Sequence, residues 1–307
     1  MARVTMTFLL SRPFKTREEG RSLLRIFFHH FPRHVPEHYG NAINPKEKDR
    51  FRFDPSNWEP VLEKWNWRRF GLDAKDPFLH FHMIPVVRAP EPHHRAIFIH
   101  PLEAALDAVR AFLYEATNLL SADYVAAQVL TLTGYKEELK LRQQIYAERH
   151  KRYMAQRKLR VRHFRPIEQR IKPRAQPIQK SNPLVENWET MWMHDTPMLN
   201  IQPNHLKRVI YDLYWFTAFG PPYLEMFGRE RILSTPAYNI CELPYGGIAM
   251  ELTDGIEDTL ESWRSFYDRR TRAKIHLDCN AFFDYGQPRG HVYNVPKFYF
   301  DPDMYSE

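Results

Sequence analysis

Histidine is the residue type here best suited to bind a metal or move a proton. Nine of the 15 histidines fall before residue 101: His29, His30, His34, His38, His80, His82, His93, His94 and His100. His80 and His82 stand two apart in an apolar run, so on a strand they share a face, as metal ligands must. A structural metal centre also needs a third and a fourth ligand, and nothing in the spacing supplies them. Cys241 and Cys279 lack ligand spacing as well. The histidines are therefore read as surface or hydrogen-bonded side chains, with no metal ligand among them. Asp254, Glu257, Asp258 and Glu261 cluster ahead of a helix, where carboxylates complement the positive end of its dipole. His276 and Asp278 could form an acid–base pair, but a cap or ion pair at a helix end is the simpler reading. The nucleophile elbow Gly-x-Ser-x-Gly, the Gly-x-x-x-x-Gly-Lys-Ser/Thr loop and Gly-x-Gly-x-x-Gly are all absent. Gly246-Gly247 sits in a turn, not at a helix N-terminus where anions bind. The sequence predicts no catalytic residue and no cofactor.

Charge gives the strongest signal. Formal net charge is +7, yet 15 of the Lys and Arg residues lie between Lys136 and Lys180 against four acids, which leaves the rest of the chain slightly acidic. Arg149, Lys151, Arg152, Arg157, Lys158, Arg160, Arg162 and Arg165 form the dense part of this segment. Such a stretch suits docking on an acidic protein or on the acidic remainder of its own chain. The alternative is nucleic-acid binding through 136–180, with the cations neutralising phosphates and Tyr146, Tyr153 and Phe164 stacking on bases.

The elements that would position these groups follow from hydropathy. Val4, Met6, Phe8 and Leu10 alternate with Thr5 and Thr7, which predicts a half-buried strand. Thr16-Arg-Glu-Glu19 is a capping box ahead of Leu23, Leu24, Phe27, Phe28 and Phe31, so a helix should run to about Pro32. A loop with Pro36, Tyr39 and Gly40 should follow. Ser56-Asn-Trp-Glu59 reads as a second capping box, opening a short helix. Phe78–Val87 and Arg95–Ile99 read as partner strands. A helix from Pro101 carries Leu102, Ala105, Leu106, Val109, Phe112, Leu113, Ala116 and Leu120 on one face. Tyr124–Leu132 reads as a further strand.

Beyond the basic helix from Tyr135 to Arg162, Pro166, Pro173, Pro177 and Pro183 predict an extended connector. A helix from about Pro203 should carry Leu206, Val209, Ile210, Leu213, Tyr214 and Phe216 up to a break at Gly220. The step Gly220–Gly228 should then act as a rigid corner. Tyr238–Leu243 and Ile248–Leu252, joined by Pro244-Tyr-Gly-Gly247, form a hairpin signal. Asp258–Leu277 reads as a helix and Val292–Phe300 as a last strand. Phe31–Gly40 and Phe219–Gly228 share a pattern of Phe, internal Pro and aromatic-Gly, a faint echo between the halves.

At 307 residues with 43% hydrophobic content the chain is long enough for one large domain or two modest ones. Strands and helices without a βαβ rhythm give the fold class α+β, two mixed halves joined by a basic helix and Pro-rich connector. The division expected is 1–135, 136–183 and 184–307. No apolar run approaches the roughly 18–20 residues of a membrane helix, the N-terminal apolar run is too short for a secretory signal, and two cysteines suit a reducing cytoplasm.

From Trp215-Phe-Thr-Ala-Phe-Gly-Pro-Pro-Tyr223 to Phe227-Gly228, followed by the Tyr238–Leu252 hairpin, the chain resembles α+β immunity proteins of bacterial polymorphic-toxin and type VI secretion systems. The likeness spans Pro203 to Phe283 and rests on aromatics and chain breakers. It implies a protein that blocks a cognate toxin. Immunity proteins that block nucleases are often acidic at the binding face, and the basic segment departs from that pattern. The reading is thus a non-catalytic cytoplasmic protein-binding factor, an immunity or toxin-inhibitor protein. Its expected anchors are exposed aromatics at Trp188, Trp192 and Tyr223 with Arg157, Lys158, Arg160 and Arg162.

Overall fold

The computed structural model describes residues 3–12, 14, 16–41, 50–65, 70–75, 78–85, 94–101, 106–130, 210, 212–261, 263–282 and 291–297. The expected connector 136–183 lies outside them, as do Arg157, Lys158, Arg160, Arg162, Trp188 and Trp192.

Val4, Met6 and Phe8 place β1 (Arg3–Leu10) at the middle of a sheet, but Thr5 and Thr7 are fully buried as well. The alternation that predicted one wet face therefore marks a strand covered on both faces. β1 lies between β6 (His94–Pro101) and β7 (Tyr124–Leu130), antiparallel to each. Outward from β6 run β5 (Phe78–Pro85), β4 (Phe70–Lys75), β2 (His38–Asn41) and β3 (Arg50–Arg52). Outward from β7 run β8 (Phe216–Phe219), β10 (Ile248–Glu251) and β9 (Asn239–Glu242). All ten strands join one sheet, and strands from both sides of segment 136–183 meet where β7 pairs with β8. The fold is α+β. Tyr39 and Gly40, expected in a loop, lie in β2 because its register with β3 and β4 satisfies their backbone.

The capping box at Thr16 forms. Glu19 N–H donates to Thr16 Oγ1 (3.2 Å) and Thr16 N–H donates to Glu19 Oε2 (3.0 Å), which starts α1 (Arg17–His30). Leu23, Leu24 and Phe27 of α1 are buried, and Phe27 and Phe31 bracket Phe112 of α3 (Leu106–Leu120) at ring distances of 5.9 and 5.3 Å. The second box does not form. Ser56 N–H and Oγ both bond Asp54 Oδ1, an Asx-type turn that outcompetes the cap, and α2 (Glu59–Glu63) starts at Trp58 with no side-chain cap.

The C-terminal half departs further from expectation. Phe216–Phe219 is a strand, not the end of a helix, and all four of its residues are buried. A strand covered on both faces shows an unbroken apolar run, which periodicity cannot separate from a buried helix. Gly220-Pro-Pro begins a helix, α4 (Pro221–Phe227), with proline at its first turn where a missing N–H is harmless. Gly228 takes φ 86°, a left-handed value suited to glycine, and leads into α5 (Arg229–Leu233). The hairpin forms as expected, with Gly246 at φ 92° in its turn. Phe31–Gly40 and Phe219–Gly228 adopt different structures, a loop entering β2 against a strand end and a helix. Residues 291–297 form no strand.

Side chains sort cleanly by face. Met6, Ala127 and Phe216 share one face by register, and Phe216 meets Tyr114 of α3 edge-on at 5.2 Å. Leu9, Tyr124 and Phe219 share the other, where Tyr223 packs on Tyr124 (5.4 Å) and Phe227 on Phe282 (6.0 Å). A Cβ on Gly220 would lie 2.6 Å from the Ala122 carbonyl oxygen and 2.7 Å from Asp123 Cα. Gly220→Ala should therefore cost about 1–3 kcal/mol by forcing backbone apart. Urea denaturation measures it, and a stability equal to the parent protein's would contradict this packing.

Candidate protein-binding face

After the short α6 (Asp258–Glu261), the helix α7 (Trp263–Leu277) buries Phe266, Ala273 and Leu277 along one stripe and exposes Tyr267, Arg269, Arg272 and Ile275. Asp212, just ahead of β8, fastens it. Its carboxylate pairs with Arg270 (Nη1–Oδ2 3.1 Å) and Lys274 (Nζ–Oδ1 3.2 Å), while its carbonyl accepts from the Tyr124 hydroxyl of β7 (3.0 Å). One residue thus ties α7 to the centre of the sheet.

That anchoring organises the outer surface. With Arg270 held by Asp212, its guanidinium lies over the Tyr267 ring at 5.0 Å and over Phe266 at 5.8 Å. Lys274 sits 5.2 Å from the centre of the Phe282 ring. Tyr267 remains 48% exposed, an aromatic side chain pinned in place yet open to solvent. Ile275 is 64% exposed on the same helix. Arg269 and Arg272 are exposed beside them. The following chain is tied to the end of α7. Asn294 N–H donates to the Asn280 carbonyl (3.0 Å), and Asn280 Nδ2 donates to the Val292 carbonyl (3.2 Å), presenting Val292 (80% exposed) and Val295 (43%). Among the described residues, four of the six exposed large hydrophobic side chains belong to α7 and this segment.

The reactive-looking groups nearby are engaged as caps. His276 Nε2 lies 2.9 Å from the Arg231 carbonyl and 3.2 Å from Ser234 Oγ, while Ser234 Oγ lies 2.8 Å from the Glu230 carbonyl. Both side chains close the end of α5. Asp278 does not pair with His276; its carboxylate accepts from Asn280 N–H (2.8 Å) and caps the turn Cys279–Ala281, the simpler of the two readings for that motif.

A second polar cluster lies on the α3 face and had no sequence signal. Glu251, the last residue of the otherwise apolar β10, is fully buried. It accepts from Arg110 Nε (2.8 Å), the Tyr114 hydroxyl (2.8 Å) and Asn239 Nδ2 (3.3 Å). Arg110 also donates to the Asp254 carbonyl (2.6 Å) and lies 5.7 Å from the centre of the Trp215 ring, so Asp254 serves Arg110. Burial and the Glu251 carboxylate hold the Tyr114 phenol protonated. Burial, with Glu251 adding to it, pushes the Cys241 thiol up as well, against the opposing pull of its Tyr114 hydrogen bond, which works against a thiolate. This is an ionic clamp between α3 and β10, found only by folding, since its members come from α3, β9, β10 and the loop after β10.

The sequence expectations map onto the structure unevenly. Tyr223, expected as an exposed anchor, is completely buried between Tyr124 and Phe219 and belongs to the core. Glycine-proline punctuation had suggested a surface corner there. His80 and His82 lie in β5, opposite Asp73 and Gly71, and their side chains lie outside the described residues. Among the described residues no group of three His, Cys, Asp or Glu is arranged to hold a metal, and no helix is long and apolar enough to cross a membrane. The exposed side chains that sequence reading did not single out are on α7, where Tyr267 and Ile275 interrupt an otherwise polar outer face.

No protein-family model and no curated protein matches the chain. Among solved structures the chain is similar to a T6SS protein of Pseudomonas aeruginosa, with a TM-score of 0.48 and 10% identity over 90% of this chain and 76% of that one. At that level the similarity assigns neither family nor function.

Arg110→Met should destabilise the fold by about 3–5 kcal/mol, because it leaves the Glu251 charge buried without its cation. Adding Glu251→Gln should restore part of the loss, since a neutral amide oxygen still accepts from Tyr114. Denaturant midpoints of the two single variants and the double variant check this; purely additive losses would mean the pair does not act as a unit.

Proposed function

We propose that the chain is a non-catalytic, cytoplasmic protein-binding factor that uses the outer face of α7, and that it serves as an immunity or inhibitor protein against a toxin. The observation that carries this reading is Tyr267, nearly half exposed yet held rigid beneath Arg270. An aromatic side chain that is already ordered loses little rotamer freedom on binding, which is why rigid Tyr, Trp and Arg dominate interface energetics. Ile275 adds exposed apolar area on the same helix, Val292 and Val295 add more on the segment tied to its C-terminal end, and Arg269 and Arg272 favour a partner surface with carboxylates at its rim. The toxin-blocking role itself rests on the resemblance at Trp215–Gly228 and the hairpin that follows.

The test is co-purification with the products of the genes that flank this one, followed by co-expression with any of them that arrests growth. The parent protein should bind and protect. Tyr267→Ala combined with Ile275→Asp should weaken binding about 100-fold or more, as loss of a central anchor does, with an unchanged melting temperature. Equal binding by this variant would sink the α7 assignment. Steeply salt-dependent retention of the parent protein on heparin, lost when Arg157, Lys158, Arg160 and Arg162 are reversed to Glu, would overturn the reading in favour of nucleic-acid binding.

A further inference from the structure

The turn that links α3 to β7 concentrates features that the binding face does not use. Ser121 sits at φ 46°, a left-handed conformation uncommon outside glycine and asparagine. Asp123 is only 4% exposed. Its backbone joins two parts of the sheet: Asp123 N–H donates to the Leu9 carbonyl of β1 (2.8 Å), and Gly220 N–H, at the end of β8, donates to the Asp123 carbonyl (2.7 Å). The neighbouring Ala122 carbonyl accepts from the Tyr245 hydroxyl of the β9–β10 turn (2.7 Å). Gly220 approaches this backbone so closely that no side chain fits there. Three strand ends and a hairpin turn therefore converge on Ser121–Asp123.

The Asp123 side chain is poorly matched to that place. Ser11 bonds the carboxylate through its hydroxyl and its backbone N–H, yet Oδ2 has no hydrogen-bond partner. The charged groups around it offer little. Arg12, after β1, is engaged with Glu19 of α1 (2.6 Å) and the Leu119 carbonyl (3.3 Å). Tyr245 directs its hydroxyl to Ala122, and its phenol is itself pushed up by burial and by the Asp123 charge. A buried, half-satisfied carboxylate is costly when ionised and well tolerated when protonated.

We propose that this turn is a proton-operated joint. Protonation of Asp123 locks β8, the β9–β10 hairpin and α4 against the end of β1, and loss of the proton loosens that contact while the rest of the sheet stays closed. Burial pushes the Asp123 carboxyl up from its ordinary 3.8 to about 6, against the opposing pull of Ser11 and Arg12. The closed joint holds its proton more tightly than the open one, so its stability is full below the ordinary carboxylate range. That stability falls as pH rises toward about 6 and is flat and lowest above that.

Hydrogen exchange on the whole chain reads this out, with rates corrected for intrinsic base catalysis. Peptides covering Leu119–Ala126 and Thr217–Leu224 should open about tenfold more often at about pH 7.5 than at about pH 5, the change linkage requires for this shift. A peptide within α1 (Arg17–His30) should show no such change. Asp123→Asn keeps the Ser11 bonds and carries no charge, so its two peptides should exchange alike at both pH values. Equal protection of the parent protein at both values overturns the joint, and that comparison stands even if the variant fails to fold. An equal pH response in Asp123→Asn, or a parallel change in the α1 peptide, overturns it as well.

Discussion

Tyr124–Ala127 of β7 lie antiparallel to Phe216–Phe219 of β8, and this four-residue pairing is what makes the described chain one structure. Closing it brings together segments 88 residues apart, as the Tyr124–Asp212 bond measures. The loop-closure cost grows only slowly with length, so burial has to offset it locally. Tyr124, Val125, Ala126 and Ala127 are all buried, as are all four residues of β8. Apolar area removed from water on both faces at once gives that pairing its strength.

The two faces then acquire different roles. On one, α1 and α3 pack through Phe27, Phe31 and Phe112, and the buried Glu251 is held by Arg110 and Tyr114. On the other, Tyr223, Phe227 and Phe282 extend the core outward to α7. Asp212 connects these layers, with its carbonyl on β7 and its carboxylate on α7. The proposed binding face is thus rigid because it stands on the same pairing that closes the sheet. The buried Asp123 lies at one end of that pairing, where a change of charge acts on all three strand ends together.

Parts of this were legible from local pattern. The capping box at Thr16, the amphipathic stripe of α3, the hairpin at Pro244–Gly247 and the paired strands at Phe78 and His94 need only residues close in sequence, and the structure contains each of them. The misreadings share one cause. Phe216–Phe219 read as helix because burial on both faces erases alternation. Tyr39 read as loop because β2 is a four-residue strand held by its neighbours. Tyr223 read as exposed because Gly220-Pro-Pro looked like a surface corner, when it opens a helix turned into the core. The candidate site was less legible than the fold. A half-exposed Tyr beneath an Arg has no sequence signature until Asp212 is known to hold that Arg.

By itself the sequence determined the α+β class and where most elements begin. Those follow from propensity, capping and periodicity, which act over a few residues. Tertiary structure alone decided that strands from both sides of segment 136–183 share one sheet. It also decided that the glutamate ending β10 would be buried and clamped, and that Tyr223 would be core while Tyr267 stayed at the surface. Those outcomes depend on which distant surfaces meet. A side chain's burial, partners and charge state belong to the assembled fold, not to its neighbours in the chain.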